Sequence, residues 1–152
     1  MSADPLLELA KKVGGQISAG LKARTIVVPP VRVHEACVGV SRMPGFYHLS
    51  TITAVDEGET IALHYHFWQG QSFIDVKTMV AKAAPTLPTL TDSMPSATLY
   101  EAEIQDLFGV SFTGNPYVGK RLLLPDDYPK DAPPPMRKEA DPETIRKMMK
   151  LE

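Results

Sequence analysis

His64 and His66 stand two residues apart in the run Ile61-Ala62-Leu63-His64-Tyr65-His66-Phe67-Trp68, a spacing that puts both imidazoles on one face of a strand. With His34 or Cys37 added they would form a nitrogen and sulfur donor set suited to zinc. Set among Leu63, Tyr65, Phe67 and Trp68, they read instead as strand residues with local hydrogen bonds, and no metal site is assigned. A second group is acidic. Glu103 and Asp106 are three apart, which makes them neighbours on a helix, with Glu101 close by, and such a cluster can handle protons. No nucleophile or second catalytic partner stands at a defined spacing, so salt bridges to a neighbouring protein are expected ahead of catalysis. Asp126-Asp127 lacks both the alternating acids and the bidentate Glu of a calcium loop and reads as a turn. Cys37, with Ala36, Val38 and Val40 around it, reads as an inert packed thiol. The glycines match neither a dinucleotide fingerprint nor a phosphate-binding loop.

The elements that must hold these residues follow from local signals. Asp4-Pro5 suits an N-cap and first helical residue, Leu6, Leu9, Ala10 and Val13 recur at helical spacing, and Gly14-Gly15 supply a stop. Ile26-Val27-Val28 before Pro29-Pro30 predicts a short strand, while residues 31–42 suit helix or strand equally. Leu49 to Val55 and Ile61 to Trp68, flanking Asp56-Glu57-Gly58-Glu59-Thr60, predict a hairpin; Gln69-Gly70-Gln71 turns the chain into a third strand, Ser72 to Val80, before Pro85 and Pro88 interrupt regular structure. Ala97 to Phe108 predicts a helix ended by Gly109. Its inward face is Tyr100, Ile104, Leu107 and Phe108, so Glu101, Glu103 and Asp106 are expected outward; Thr98 to Glu101 fits a capping box, with Ser96 as a rival cap.

Beyond Leu124 the prolines at 125, 129 and 133–135 alternate with charges and favour an extended arm, with a last helix from Pro142 to Leu151 capped by Asp141. The arm holds few large apolar side chains and is expected to be mobile until a partner covers it. The whole predicts an α+β fold: a two-layer domain with a mixed β-sheet and packed helices over residues 1–124, then a Pro-rich arm with a short terminal helix over 125–152.

Composition narrows function. The net charge of -2, from 16 basic and 18 acidic residues in mixed order, gives no positive field for nucleic acid or anionic lipid, so proteins are the expected partners. A single cysteine permits neither an internal disulfide nor a thiolate-held iron–sulfur cluster, which takes four. Met1 to Leu9 lacks the character of a signal peptide, and no run approaches the roughly 20 apolar residues of a membrane span.

The stretch Tyr100-Glu101-Ala102-Glu103-Ile104-Gln105-Asp106-Leu107-Phe108-Gly109-Val110, followed by Phe112-Thr113-Gly114-Asn115-Pro116, resembles the signature of the C-type subunits of NADH-quinone oxidoreductase, which is complex I. Leu122-Leu123-Leu124-Pro125-Asp126-Asp127 and Pro135-Met136-Arg137-Lys138-Glu139 are similar to that family's downstream segments in the same order, and the hairpin from Leu49 to Trp68 extends the likeness upstream. Within the family, Asn115-Pro116, the triple proline and Ala140-Asp141-Pro142-Glu143 resemble the beta-type subunit of archaeal membrane-bound [NiFe] hydrogenases and related sulfur-reducing complexes.

The resemblance implies a cofactor-free structural subunit in the soluble arm of a complex-I-like assembly at the cytoplasmic face of the membrane. The [NiFe] centre and iron–sulfur clusters would lie in partners: a hydrogenase large subunit like the D-type chain of complex I, a small subunit like its B-type chain and a ferredoxin-like subunit, with the membrane arm reached indirectly. Glu101, Glu103, Asp106, Arg137 and Lys138 are the expected interface residues. The alternative is the equivalent subunit of an NADH/quinone-type complex I or of a sulfur-reducing complex.

Overall fold

The computed structural model describes residues 4–20 and 23–151. Helix α1 (Pro5–Val13) starts as expected, with the Asp4 carboxylate accepting from Leu6 N at 3.0 Å, and ends at left-handed Gly14. Asp4 also pairs with Arg24 of strand β2 (Ala23–Val27), which fixes the start of α1 against the sheet. A short strand β1 (Gln16–Ala19), not anticipated from its sequence, pairs antiparallel with β2. Residues 31–42 resolve as helix: a single 3-10 turn, Pro30–Arg32, runs into α2 (Val33–Ser41). Its β-branched residues permit either state, and packing decides. A Cβ on Gly39 of α2 would lie 2.5 Å from Leu9 Cδ1 of α1, so the two helices pack closely there and a larger residue would have to displace the Leu9 side chain.

The hairpin and third strand form as expected: β3 (Leu49–Asp56), β4 (Thr60–Gln69) and β5 (Ser72–Ala81). The sheet order is β1-β2-β5-β4-β3, mixed because β2 and β5 run parallel while the other pairs are antiparallel. Alternation sends Ile61, Leu63, Tyr65 and Phe67 of β4 into the core with Ile74, Val76 and Val80 of β5, where they meet Leu6 and Val13 of α1 and Val33 and Cys37 of α2. Helices on one side of a mixed sheet give the two-layer α+β architecture.

The proline-punctuated stretch after β5 contains a strand after all. β6 (Thr86–Pro88) pairs in parallel with β7 (Ser111–Thr113), which follows helix α3 (Ala97–Phe108) and its left-handed terminator Gly109. The anticipated capping box at Thr98 does not form: the helix begins at Ala97 after Ser96, which makes no side-chain cap bond, and Glu101 turns to other partners. The terminal helix α4 (Pro142–Met148) is capped by Asp141, which accepts from Thr144 N at 2.9 Å. No helix among the described residues is long and apolar enough to cross a membrane.

One core group lacks a partner. The Tyr65 hydroxyl is buried and makes no hydrogen bond among the described residues, a condition that costs about 1–3 kcal/mol. Tyr65→Phe, which removes only that oxygen, is expected to raise stability by about 1 kcal/mol in denaturant unfolding; a lowered midpoint would show that the hydroxyl is satisfied.

Candidate functional site

Three carboxylates rise from α3, and the structure gives each a different fate. Glu101, expected on the outer face, has no exposed surface. Its Oε1 accepts from Leu90 N at 2.7 Å, and Oε2 accepts from the Thr89 hydroxyl at 2.5 Å and Asn115 Nδ2 at 2.8 Å. Burial pushes its carboxyl above the ordinary value, against the pull of Asn115, Leu90 and Thr89. Asp106, also expected outward, is buried too: its Oδ2 accepts from three consecutive amides, Leu122, Leu123 and Leu124, at 2.8, 2.6 and 3.0 Å. Only Glu103 stands exposed as anticipated, and it has no hydrogen bond or ion pair among the described residues.

Helical periodicity misleads here for a physical reason. It ranks acids as outward because a buried charge is costly, and it cannot see that distant loops bring the donors. Gln105 belongs to the same arrangement, its side-chain amide donating at 2.9 Å to the carbonyls of both Tyr117 and Lys120. Residues 115–124 are therefore laid along α3 by three successive side chains of one helix. Leu99 of α3 and Val118, Leu122 and Leu123 of the attached segment are exposed, as is the unpaired Glu103.

The C-terminal arm is bound to its own domain rather than detached from it. Tyr128 is buried, its hydroxyl donating to Pro133 O at 2.7 Å, while the Arg121 guanidinium donates to the Pro125 and Tyr128 carbonyls. At the end of α3, Met136 N donates to Leu107 O at 3.0 Å and Arg137 Nε to Phe108 O at 2.7 Å, so the arm satisfies carbonyls that a helix end leaves open. Gly109 is required on two counts: its φ is +71°, and a Cβ there would lie 2.8 Å from Pro134 Cγ.

Asp56, which local patterning marks only as a turn residue, is the second anchor of the arm. It accepts from Gly58 N and Lys138 N at 2.8 Å each and pairs with Lys82 Nζ at 2.6 Å; Lys82 also reaches Glu139 at 2.9 Å. The Lys82 ammonium holds the Asp56 carboxyl well below its usual range. The Asp56-Glu57-Gly58 turn is legible in sequence, but its bond to residue 138 is not. Arg137 is thus committed to α3, whereas the Lys138 side chain is exposed with no ion-pair partner among the described residues.

The histidines gather no metal site. His64 Nδ1 lies 2.8 Å from Asp75 Oδ2, and the His64 and His66 rings are parallel with centroids 6.0 Å apart. His34 is bonded to Asp92 at 3.0 Å, and Cys37 is in the core with its thiol pKa raised by burial. Among the described residues no group of three or more His, Cys, Asp or Glu is placed to hold a metal ion.

Residues 26–145, which include α3, its loops and the arm segment, match the model of the respiratory-chain NADH dehydrogenase 30 Kd subunit. The chain belongs to that family. It is 35% identical over 117 residues to the C-type subunit of NADH-quinone oxidoreductase from Moorella thermoacetica, covering 74% of this chain and 78% of that one. NADH-quinone oxidoreductase subunit 5 of Thermus thermophilus is 32% identical over 143 residues, covering 84% of this chain and 68% of that one. Among solved structures, a chain of the membrane-bound sulfane sulfur reductase, an archaeal respiratory membrane complex, superposes with a TM-score of 0.79 at 25% identity, over 96% of this chain and 89% of that one. A trypsin-resistant fragment (1-134) of Nqo5 superposes with a TM-score of 0.63 at 32% identity, over 73% of this chain and 95% of that one.

The internal bonds of this family member make a direct prediction. Asp106→Ala removes the acceptor of three amides and is expected to cost about 3 kcal/mol, since hydrogen bonds to a charged group contribute about 1.5–3 kcal/mol each and part of that loss is recovered by water. Hydrogen exchange of the Leu122 to Leu124 amides checks this: they should exchange at loop rates in the variant, and protection equal to wild type would remove Asp106 from its anchoring role.

Proposed function

We propose that this chain is a cofactor-free structural subunit of the peripheral arm of a membrane-bound, complex-I-like redox assembly of the hydrogenase branch. The observation that carries the reading is the disposition of charge on and around α3. Glu101, Asp106 and Arg137 are bonded within the chain, leaving Glu103 and the Lys138 ammonium free at the surface to pair with a neighbour. Glu101, Asp106 and Arg137 then serve the interface indirectly, by fixing the backbone that presents it. No nucleophile converges with a base on this surface, and the chain's only cysteine lies in the core.

A large subunit of the D type is the first expected neighbour. The relative from Gluconacetobacter diazotrophicus bears the joint designation C/D, and the matched region makes up 18% of that chain, which supports a C-like unit beside a D-like one. The small B-type and ferredoxin-like subunits, with the [NiFe] centre and iron–sulfur clusters, complete the proposed surroundings, and attachment to the cytoplasmic face of the membrane runs through them. Asn115, which carries part of the hydrogenase resemblance, donates to Glu101. The likeness to the sulfane sulfur reductase chain favours the sulfur-reducing branch as the second reading.

The arm supplies the test. The Nqo5 fragment in the superposition is trypsin-resistant and covers 73% of this chain, which supports a core that persists without the full length. Truncation after Leu124 is therefore expected to leave a folded core that is recovered poorly with the large and small subunits, while activity per assembled complex is retained. Hydrogen evolution by the purified wild-type assembly supports the hydrogenase branch, and sulfur reduction without it supports the alternative. Full recovery of the truncated chain in the complex would refute the arm's assembly role.

A further inference from the structure

Alternation along β4 and β5 sends Tyr65 and Val76 into the core and turns His64, His66, Trp68, Phe73, Asp75 and Met79 to the opposite face of the sheet. This face does not behave as a solvated surface. Trp68, Phe73 and Met79 are 40–50% exposed, and the Trp68 and Phe73 rings stack at 6.2 Å beside a hollow of about 450 Å³ at the Gly70 turn. Large exposed apolar groups on one face mark interaction surfaces more often than solvated ones.

At the centre of the face lies a carboxylate with an unfilled acceptor. Asp75 is buried; its Oδ2 receives His64 Nδ1 at 2.8 Å and the Thr25 hydroxyl at 3.4 Å, but Oδ1 has no hydrogen bond among the described residues. The nearest basic group to Oδ1 is His66 Nδ1 at 3.6 Å, and the other edge of that ring is turned to the Thr53 hydroxyl at 2.9 Å. Burial lowers the His66 pKa more than Asp75 raises it, which makes the ring a weak cationic partner for that oxygen. Lys77, the one full cation on this side of β5 among the described residues, is paired with Glu57 at 3.1 Å. The face therefore holds a buried carboxylate oxygen that lacks a hydrogen bond, screened by His66 and lying on the same face as the exposed Trp68–Phe73 pair. A buried acceptor oxygen left without a donor is costly, and a cationic donor that excludes water relieves it.

We propose that this sheet face is a second docking surface, occupied by a segment of a partner protein that places one arginine on Asp75 Oδ1 and covers Trp68, Phe73 and Met79 with apolar side chains. Arginine suits the position because its planar, weakly hydrated guanidinium can bond the free oxygen while lying against the aromatic pair. His66, partly exposed and hydrogen-bonded to Thr53, is the side chain that turns aside to admit it. The inference rests on the chain being an assembly subunit, and it adds a contact separate from α3 and the arm.

Hydroxyl-radical footprinting of the full chain, alone and in the purified native assembly, tests it. Oxidation of Trp68, Phe73 and Met79 should be lost on assembly. Failure of the wild-type chain to enter any assembly would overturn both the proposed function and this surface; entry with these three residues oxidised as before would overturn this surface alone. Protection that is already complete in the isolated chain and grows with its concentration would name a second copy as the occupant and refute the partner. Asp75→Lys should lower recovery of the chain in the assembly at least about tenfold, as reversing a desolvated interfacial charge does. If that variant is recovered unfolded, Asp75→Asn, which keeps the shape and removes the charge, is judged on the same recovery, and wild-type recovery of a folded variant would overturn the arginine contact.

Discussion

A carboxylate removed from water has to be met by donors, and α3 takes two of them under the surface. Glu101 draws the Leu90 amide, the Thr89 hydroxyl and the Asn115 side chain to one side of the helix, while Asp106 collects the amides of Leu122 to Leu124 further along. Everything after the sheet hangs on these bonds: the loop before α3, the β7 turn, the leucine segment, and through it the entry to the arm. The arm then closes over the end of α3 through Met136 and Arg137 and is held at its far side by Asp56 and Lys82. With the amides of Leu122 and Leu123 turned to Asp106, their side chains stand exposed, as do Leu99 and Glu103 of α3 and Val118 of the loop.

Local signals account for the elements whose stability is local. Asp4-Pro5 and Gly14 delimit α1, period-two alternation and the Gly58 turn delimit the hairpin, and Gly109 ends α3 at the residue where a left-handed backbone is needed. What periodicity could not assign is structure created by distant partners. Residues 33–41 form a helix that packs on α1, with Gly39 against Leu9, and β6 takes its strand pairing from Ser111 to Thr113, which lie 25 residues on. The burial of Glu101 and Asp106 has the same origin, since the donors lie 11 to 18 residues away along the chain. Asp56 is the extreme case, with a bond to an amide 82 residues on. The ordered motifs between Tyr100 and Glu139 nonetheless point to the right family, because the residues composing them are those that build this network.

The same network dominates the polar chemistry of this member of a respiratory-chain family. Its polar side chains form a scaffold of internal bonds, and the groups left over are arranged on surfaces: an acid and a base flanking the α3 region, and a carboxylate on the sheet face that carries the Trp68–Phe73 pair. Rigid presentation of a few charges limits the side-chain ordering lost on association, which is how a small chain can contribute to the cohesion of a larger assembly.

Charge reversal at the two free surface groups tests this account most directly. Glu103→Lys and Lys138→Glu, introduced separately and together into the native host, leave every internal bond described for α3 and the arm in place, since neither side chain takes part in one. The measurement is recovery of the intact complex alongside turnover per assembled complex. The account predicts reduced recovery for each variant with unchanged turnover in whatever complex forms. Normal recovery with abolished turnover would contradict it and would assign these residues to the chemistry instead of the scaffold.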